Sequence, residues 1–232
     1  MMNPNVNILL CFLTAVIGVV TISLVKRPGS KILLLISTFW LSRILAARAW
    51  SQISGSIFLV STDLAFWLFL VTTFFSMSVV LIVPTQLSIG QGWSVLGWRF
   101  DNWRRQLPGV ALAFLLLGLV LLAALLRGAD PGRFLASAFF SFLIASWQEE
   151  VIFRGQLMSY LQQKGWPMAL NILGQAVVFC VVHIGFAPAE TLPYFLPSAF
   201  VLGLIFGVVR WATGGQASGF LLHSLLNLLS LG

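Results

Sequence analysis

Long apolar runs of near-spanning length, parted by Pro and Gly, constrain this chain more than any other feature. A transmembrane helix needs about 20 predominantly apolar residues. Eight such segments are legible, at 8–25, 32–50, 64–83, 107–126, 134–161, 168–184, 195–211 and 217–231. The breakers Pro28-Gly29, Pro84, Pro131-Gly132, Gly165-Trp166-Pro167 and Gly214-Gly215 fall between them. Charged residues make up 8% of the chain and mean hydropathy is +0.99, too little charge to solvate a soluble surface. The expected fold class is therefore all-α, a polytopic transmembrane helical bundle of about eight helices. No repeat or low-complexity tract interrupts it. The first apolar run lacks a basic n-region and an obvious small-residue cleavage site, so it reads as a retained span.

The formal charge of +7 does not point to nucleic acid, because the bases are scattered over the short loops rather than clustered. Lys26, Arg27 and Lys31 fall in the first loop, Arg99, Arg104 and Arg105 in the third, Lys164 in the fifth and Arg210 in the seventh. The even loops hold Arg127 and Arg133, with Arg43 and Arg48 added if they emerge there. The odd loops are thus expected in the cytoplasm and both termini outside. The stretch 93–105 alternates Trp and Arg and is expected to lie at the membrane interface. Cys11 and Cys180 lie far apart in apolar runs, with no metal-type or disulfide-framework spacing.

Against this background the run Glu149-Glu150-Val151-Ile152-Phe153-Arg154 stands out. The chain has six acidic residues, and two are adjacent inside an apolar segment. Ionisable groups at membrane depth are costly, face a cavity or each other, and mark functional sites. On an α-helix Glu150 and Arg154 share a face and can pair, while Glu149 is turned about 100° away. A carboxylate beside Arg stays ionised, whereas one in a drier cavity is tuned for proton transfer near neutral pH. Glu149 is therefore the candidate base and Glu150 its structural neighbour.

The chain's two histidines fall in the same C-terminal third. His183 ends an i,i+4 stripe, Asn171-Gln175-Phe179-His183, which must face a partner or cavity rather than lipid. Positions 149 and 183 are each seventeen residues from position 166 in the breaker. A helical hairpin there puts Glu149 and His183 at one depth. His223 and Asn227 share a face of the last segment. Together these groups supply the types that water activation requires: a base, an orienting partner and oxyanion donors.

These residues resemble the CAAX-protease and bacteriocin-processing (CPBP) family, glutamic intramembrane proteases related to the type II CAAX prenyl endopeptidase. Glu149-Glu150-x-x-x-Arg154 fits its paired-glutamate motif, Phe179-x-x-x-His183 its second and His223-x-x-x-Asn227 its last. Phe200-x-x-Gly203, with Gly207 and Thr213-Gly214, looks like its glycine-containing penultimate helix. The resemblance covers about the C-terminal half, so the chain divides into variable N-terminal helices and interfacial loop (1–106) and a CPBP-like core (107–232). By that resemblance Glu149 and His183 activate water, and His223 and Asn227 stabilise the oxyanion. Glu150 and Arg154 hold the catalytic helix, with Phe179 beside His183. Gly203 and Gly207 read as a close-packing face, and the Pro-rich segment 188–197 as a gate or a rigid connector.

The resemblance implies a metal-free peptidase without cofactor, acting in the lipid bilayer on a membrane-anchored protein or peptide substrate. The expected location is the inner membrane of a prokaryotic cell. Two alternatives stand beside it. One is a zinc protease using Glu149, His183 and His223, although the chain has no His-Glu-x-x-His helix. The other is a non-catalytic scaffold or bacteriocin-immunity protein that keeps the motifs without turnover.

Overall fold

The computed structural model describes residues 4–54, 78, 82–83, 103–128, 132, 134, 138, 141–142, 146–185 and 190–231. Among them there are seven helices and no strand. They are α1 (Pro4–Leu24), α2 (Pro28–Ser54), α3 (Trp103–Leu126), a composite α4, α5 (Met168–Val182), α6 (Leu192–Thr213) and α7 (Ala217–Leu231). The composite helix begins as α-helix at Trp147–Glu149, widens to a π-helix over Glu150–Leu157 and returns to α-helix over Met158–Gln163. Pro28-Gly29 breaks the chain as expected, with Pro28 as the first residue of α2, where its missing N–H costs no intrahelical bond. Gly214 ends α6 in the left-handed conformation at φ 66°, which a glycine adopts without a Cβ clash.

By length and composition, Pro28–Ala49, Trp103–Leu126 and Leu192–Thr213 can cross a membrane, and shorter apolar helices cover Leu9–Leu24, Met168–Val182 and Ala217–Leu229. This is an integral membrane bundle. Helix α5 shows how the sequence sorts its faces. Leu170, Leu173, Val177, Val181 and Ile184 are exposed, as a lipid-facing stripe must be. Asn171, Gln175 and Phe179 are buried on the other side. Asn171 Nδ2 donates to the Met158 carbonyl (2.9 Å) and Gln175 Nε2 to the Gly203 carbonyl (2.6 Å), fixing α5 between α4 and α6. The expected polar stripe thus points into the protein along its length.

Glycines allow the α5–α6 approach. A Cβ at Gly203 would lie 3.0 Å from the Ala176 Cα, and one at Gly207 would lie 3.0 Å from Ile172 Cγ2. The core joins α2 to α4 and α5 through an aromatic chain. Phe39 meets Phe153 edge-on at 6.3 Å between ring centroids, and Phe153 meets Phe179 edge-on at 5.2 Å. At one end of the bundle Tyr160 packs over Gly29, so the basic loop after α1 and the turn bearing Lys164 lie side by side.

Arg43 and Arg48 do not emerge in a loop; both lie within α2, which continues to Ser54. The end of the stretch 93–105 is the first turn of α3, and Gln106 is used inside the bundle: its Oε1 accepts from the Ala217 N–H (3.0 Å) and its carbonyl from Ser218 Oγ (2.9 Å). The second half of the segment 188–197 is the start of α6. Most of segment 64–83 and of the stretch 93–105 lies outside the described residues. Of the former, Ser78 accepts from Gln148 Nε2 (3.1 Å) and Ile82 is buried in the core.

Candidate active site

The site forms where the π-helical stretch of α4 faces α5, α6 and α7. Such widened turns are rare and occur often at functional sites. Buried polar groups must be paired, and Glu149, Glu150, Arg154 and His223 are each at most 4% exposed, with His183 at 9%. Glu149 Oε2 lies 3.9 Å from His183 Nε2 and 3.6 Å from His223 Nε2. Glu150 Oε1 lies 2.9 Å from His223 Nδ1 and 3.2 Å from Arg154. The seventeen-residue symmetry about position 166 therefore does bring Glu149 and His183 to one depth.

The two glutamates do not diverge as an ideal α-helix would make them. Wider winding turns successive residues by less than the α-helical angle, and the His223 ring bridges the pair, one nitrogen towards each carboxylate. Glu149 has a guanidinium partner as well. Arg43 NH2 lies 3.4 Å from Glu149 Oε1. Each carboxylate thus has its own arginine, Arg154 from one turn away and Arg43 from α2.

The ring nitrogens are set by their outer partners. His183 Nδ1 lies 2.6 Å from the Phe179 carbonyl, which can only accept, so Nδ1 carries hydrogen and the neutral ring presents the Nε2 lone pair towards Glu149. His223 Nδ1 likewise donates to the Glu150 carboxylate. Asn227, one turn along α7, donates from Nδ2 to Ser146 Oγ (3.2 Å), which places it beside the start of α4.

Aromatic rings close the cluster. The Arg154 guanidinium lies 4.1 Å from the Phe179 centroid and 5.2 Å from that of Phe206, a cation–π clamp on a side chain with no exposed surface. Phe206 also stacks on His223 at 4.6 Å and 23° between planes. Phe179 and Phe195 contact His183 at 4.5 and 5.6 Å. Gln216 Nε2 donates to the Glu150 carbonyl (3.2 Å), and a Cβ on Gly219 would come within 3.5 Å of Glu150 Oε2.

All seven residues singled out in the sequence gather here. Glu149, Glu150, His183 and His223 form the polar centre, Arg154 and Phe179 back it, and Asn227 borders it through Ser146. Sequence reasoning missed Arg43, Phe206, Gln216 and Ser146. Arg43 had a signal, since it is an ionisable residue inside an apolar run, the same reason that drew attention to Glu149. Phe206 had none, because an aromatic in an apolar helix reads as ordinary core. Among the described residues, no three His, Cys, Asp or Glu side chains are grouped so as to hold a metal ion.

Fold and site together define a helical membrane protein with a buried Glu–His centre built from three helices. Residues 131–229 match the family described as Type II CAAX prenyl endopeptidase Rce1-like. The match lies in the C-terminal part of the chain and contains all seven of those residues. No curated protein and no solved structure matches the chain.

Proposed function

We propose that the protein is a glutamic-type intramembrane endopeptidase that hydrolyses a peptide bond in a membrane-anchored or lipidated substrate. The observation that carries this reading is Glu149 Oε2 facing the Nε2 atoms of both histidines at 3.9 and 3.6 Å. Those gaps exceed a direct hydrogen bond, and a single bridging water spans them. Glu149, with its Oε1 beside Arg43, and His183, with its Nε2 lone pair inward, both accept from that water. One proton passes to the Glu149 carboxylate as the water oxygen bonds to the scissile carbonyl carbon. The same proton goes to the departing amide nitrogen as the C–N bond breaks. Asn227 supplies N–H donors to the oxyanion, and His223 stabilises it beside them. Glu150, Arg154 and Phe179 position His223 and His183.

Substrate class follows from the depth of the site and from the matched family. A catalytic centre inside apolar helices is reached by a chain that already resides in the bilayer, and a lipid anchor or a hydrophobic tail provides that. A C-terminal sorting or processing signal is of this kind. The protein acts in this reading without metal, in the inner membrane of a prokaryotic cell.

Comparative proteomics of membrane and secreted fractions tests it, using cells with wild-type protein, Glu149→Gln or a deletion. A protease leaves the same precursor accumulating in the mutant and the deletion. If Glu149→Gln, present in normal amount, processes every protein as wild type does, the role is that of a scaffold.

A further inference from the structure

We infer that Arg43 is a positioning residue for this hydrolytic step: by holding Oε1 of Glu149 it turns Oε2 to His183 and His223. The inference rests on the proposed protease reading. The last torsion of a glutamate joins an sp³ to an sp² carbon, so its well is broad and the carboxylate does not orient itself. An outside partner must fix it. Arg43 NH2 lies 3.4 Å from Oε1, whereas Oε2 is the atom facing both imidazoles, so the two oxygens are divided between two tasks.

The guanidinium comes from a well-anchored stretch of α2. Arg43 lies over the Phe39 ring at 5.8 Å, and Phe39 packs edge-on to Phe153 of α4. Trp40 Nε1 donates to the Ile184 carbonyl (2.9 Å), one residue past His183. Gly185, at φ 93°, leaves room for Ile44, whose Cδ1 would lie 3.1 Å from a Cβ there. Two turns of α2 therefore register both the helix bearing the base and the end of the helix bearing its histidine partner. Arg43 lies well before the matched domain at 131–229. The active centre is completed by an N-terminal helix in which the sequence shows no family motif.

The test uses full-length protein in detergent, with the precursor that accumulates in Glu149→Gln cells as the substrate. Arg43→Gln, Arg43→Lys and Arg48→Gln, the last on the same helix at an exposed position, are compared with wild type for kcat and KM. Arg43→Gln is expected to lower kcat by at least about tenfold and leave KM within about twofold, the pattern of a misaligned base rather than lost substrate binding. Arg43→Lys, which keeps the charge but not the planar fork, should fall between Gln and wild type. Arg48→Gln should match wild type. A wild-type kcat for Arg43→Gln, or a change confined to KM, overturns the inference. If Arg43→Gln does not reach the membrane in wild-type amount, Arg43→Lys decides, a lower kcat at unchanged KM supporting the role and a wild-type kcat overturning it. Should no precursor accumulate with Glu149→Gln, the protease reading fails and this inference with it. Accumulation with Glu149→Gln but normal turnover by Arg43→Gln sinks the Arg43 role alone.

Discussion

The guanidinium of Arg154 lies 4.1 Å from the ring centroid of Phe179, while its NH1 is 3.2 Å from Glu150 Oε1. A fully buried cation thus lies between one carboxylate and two π-faces. Removing one member of a buried ion pair strands the other, at a cost of about 3–5 kcal/mol. Arg154→Ala should therefore lower the unfolding temperature in detergent sharply. Phe179→Leu, which removes the π-face but keeps an apolar fill, should cost about 2 kcal/mol.

The glycines of α6 give a graded prediction. Gly203→Ala forces a methyl against the Ala176 backbone, which cannot yield as a side-chain end can. The expected loss is about 1–3 kcal/mol from overpacking. A Cβ at Gly118, on lipid-facing α3, meets nothing within 4 Å among the described residues, so Gly118→Ala should leave the unfolding temperature unchanged or raise it. Equal effects at the two positions would contradict the close α5–α6 contact.

His183→Ala and Asn227→Ala separate chemistry from stability. Loss of a proton-transfer partner at His183 should lower the turnover rate by about 10²–10⁴. Loss of an oxyanion donor at Asn227 should lower it by about 10²–10³. Each also loses a hydrogen bond, of about 1 kcal/mol, so the unfolding temperature should move little. Rate assays on the accumulated precursor, run beside thermal unfolding, check both.

Topology can be read by labelling. Tyr160 over Gly29 puts Lys26 and Lys164 at the same end of the bundle, both exposed. Lys26→Cys and Lys164→Cys should react with a membrane-impermeant maleimide from the same side of the membrane. Labelling from opposite sides would contradict the packing of the first loop against the α4–α5 turn.

Much of the site was legible because its chemistry is expensive in lipid. Glu149, Glu150, Arg154, His183 and His223 are conspicuous in an apolar chain, and helical spacing about a breaker brought Glu149 and His183 to one depth. Segment 217–231 coincides with α7, because Gly214-Gly215 marks its start. What failed depended on local winding and on contacts distant in sequence. An α-helical wheel separates Glu149 from Glu150, whereas the π-helical stretch and the inserted His223 ring unite them. Arg43 was passed over because it lies inside the apolar segment expected at 32–50, and nothing in the sequence relates position 43 to position 149. Phe206 serves as a lid on both Arg154 and His223, a role visible only once α6 lies across the cluster.

The central claim is that this chain uses Glu149 to direct water at a peptide bond. Its most direct measurement is cleavage of the accumulated precursor by purified protein in liposomes made up in ¹⁸O-labelled water, followed by mass spectrometry of the new C-terminus. One labelled oxygen is expected in that carboxylate with wild type, and no labelled product with Glu149→Gln of unchanged unfolding temperature. Equal labelling by the two proteins, or an intact precursor with both, would contradict that claim.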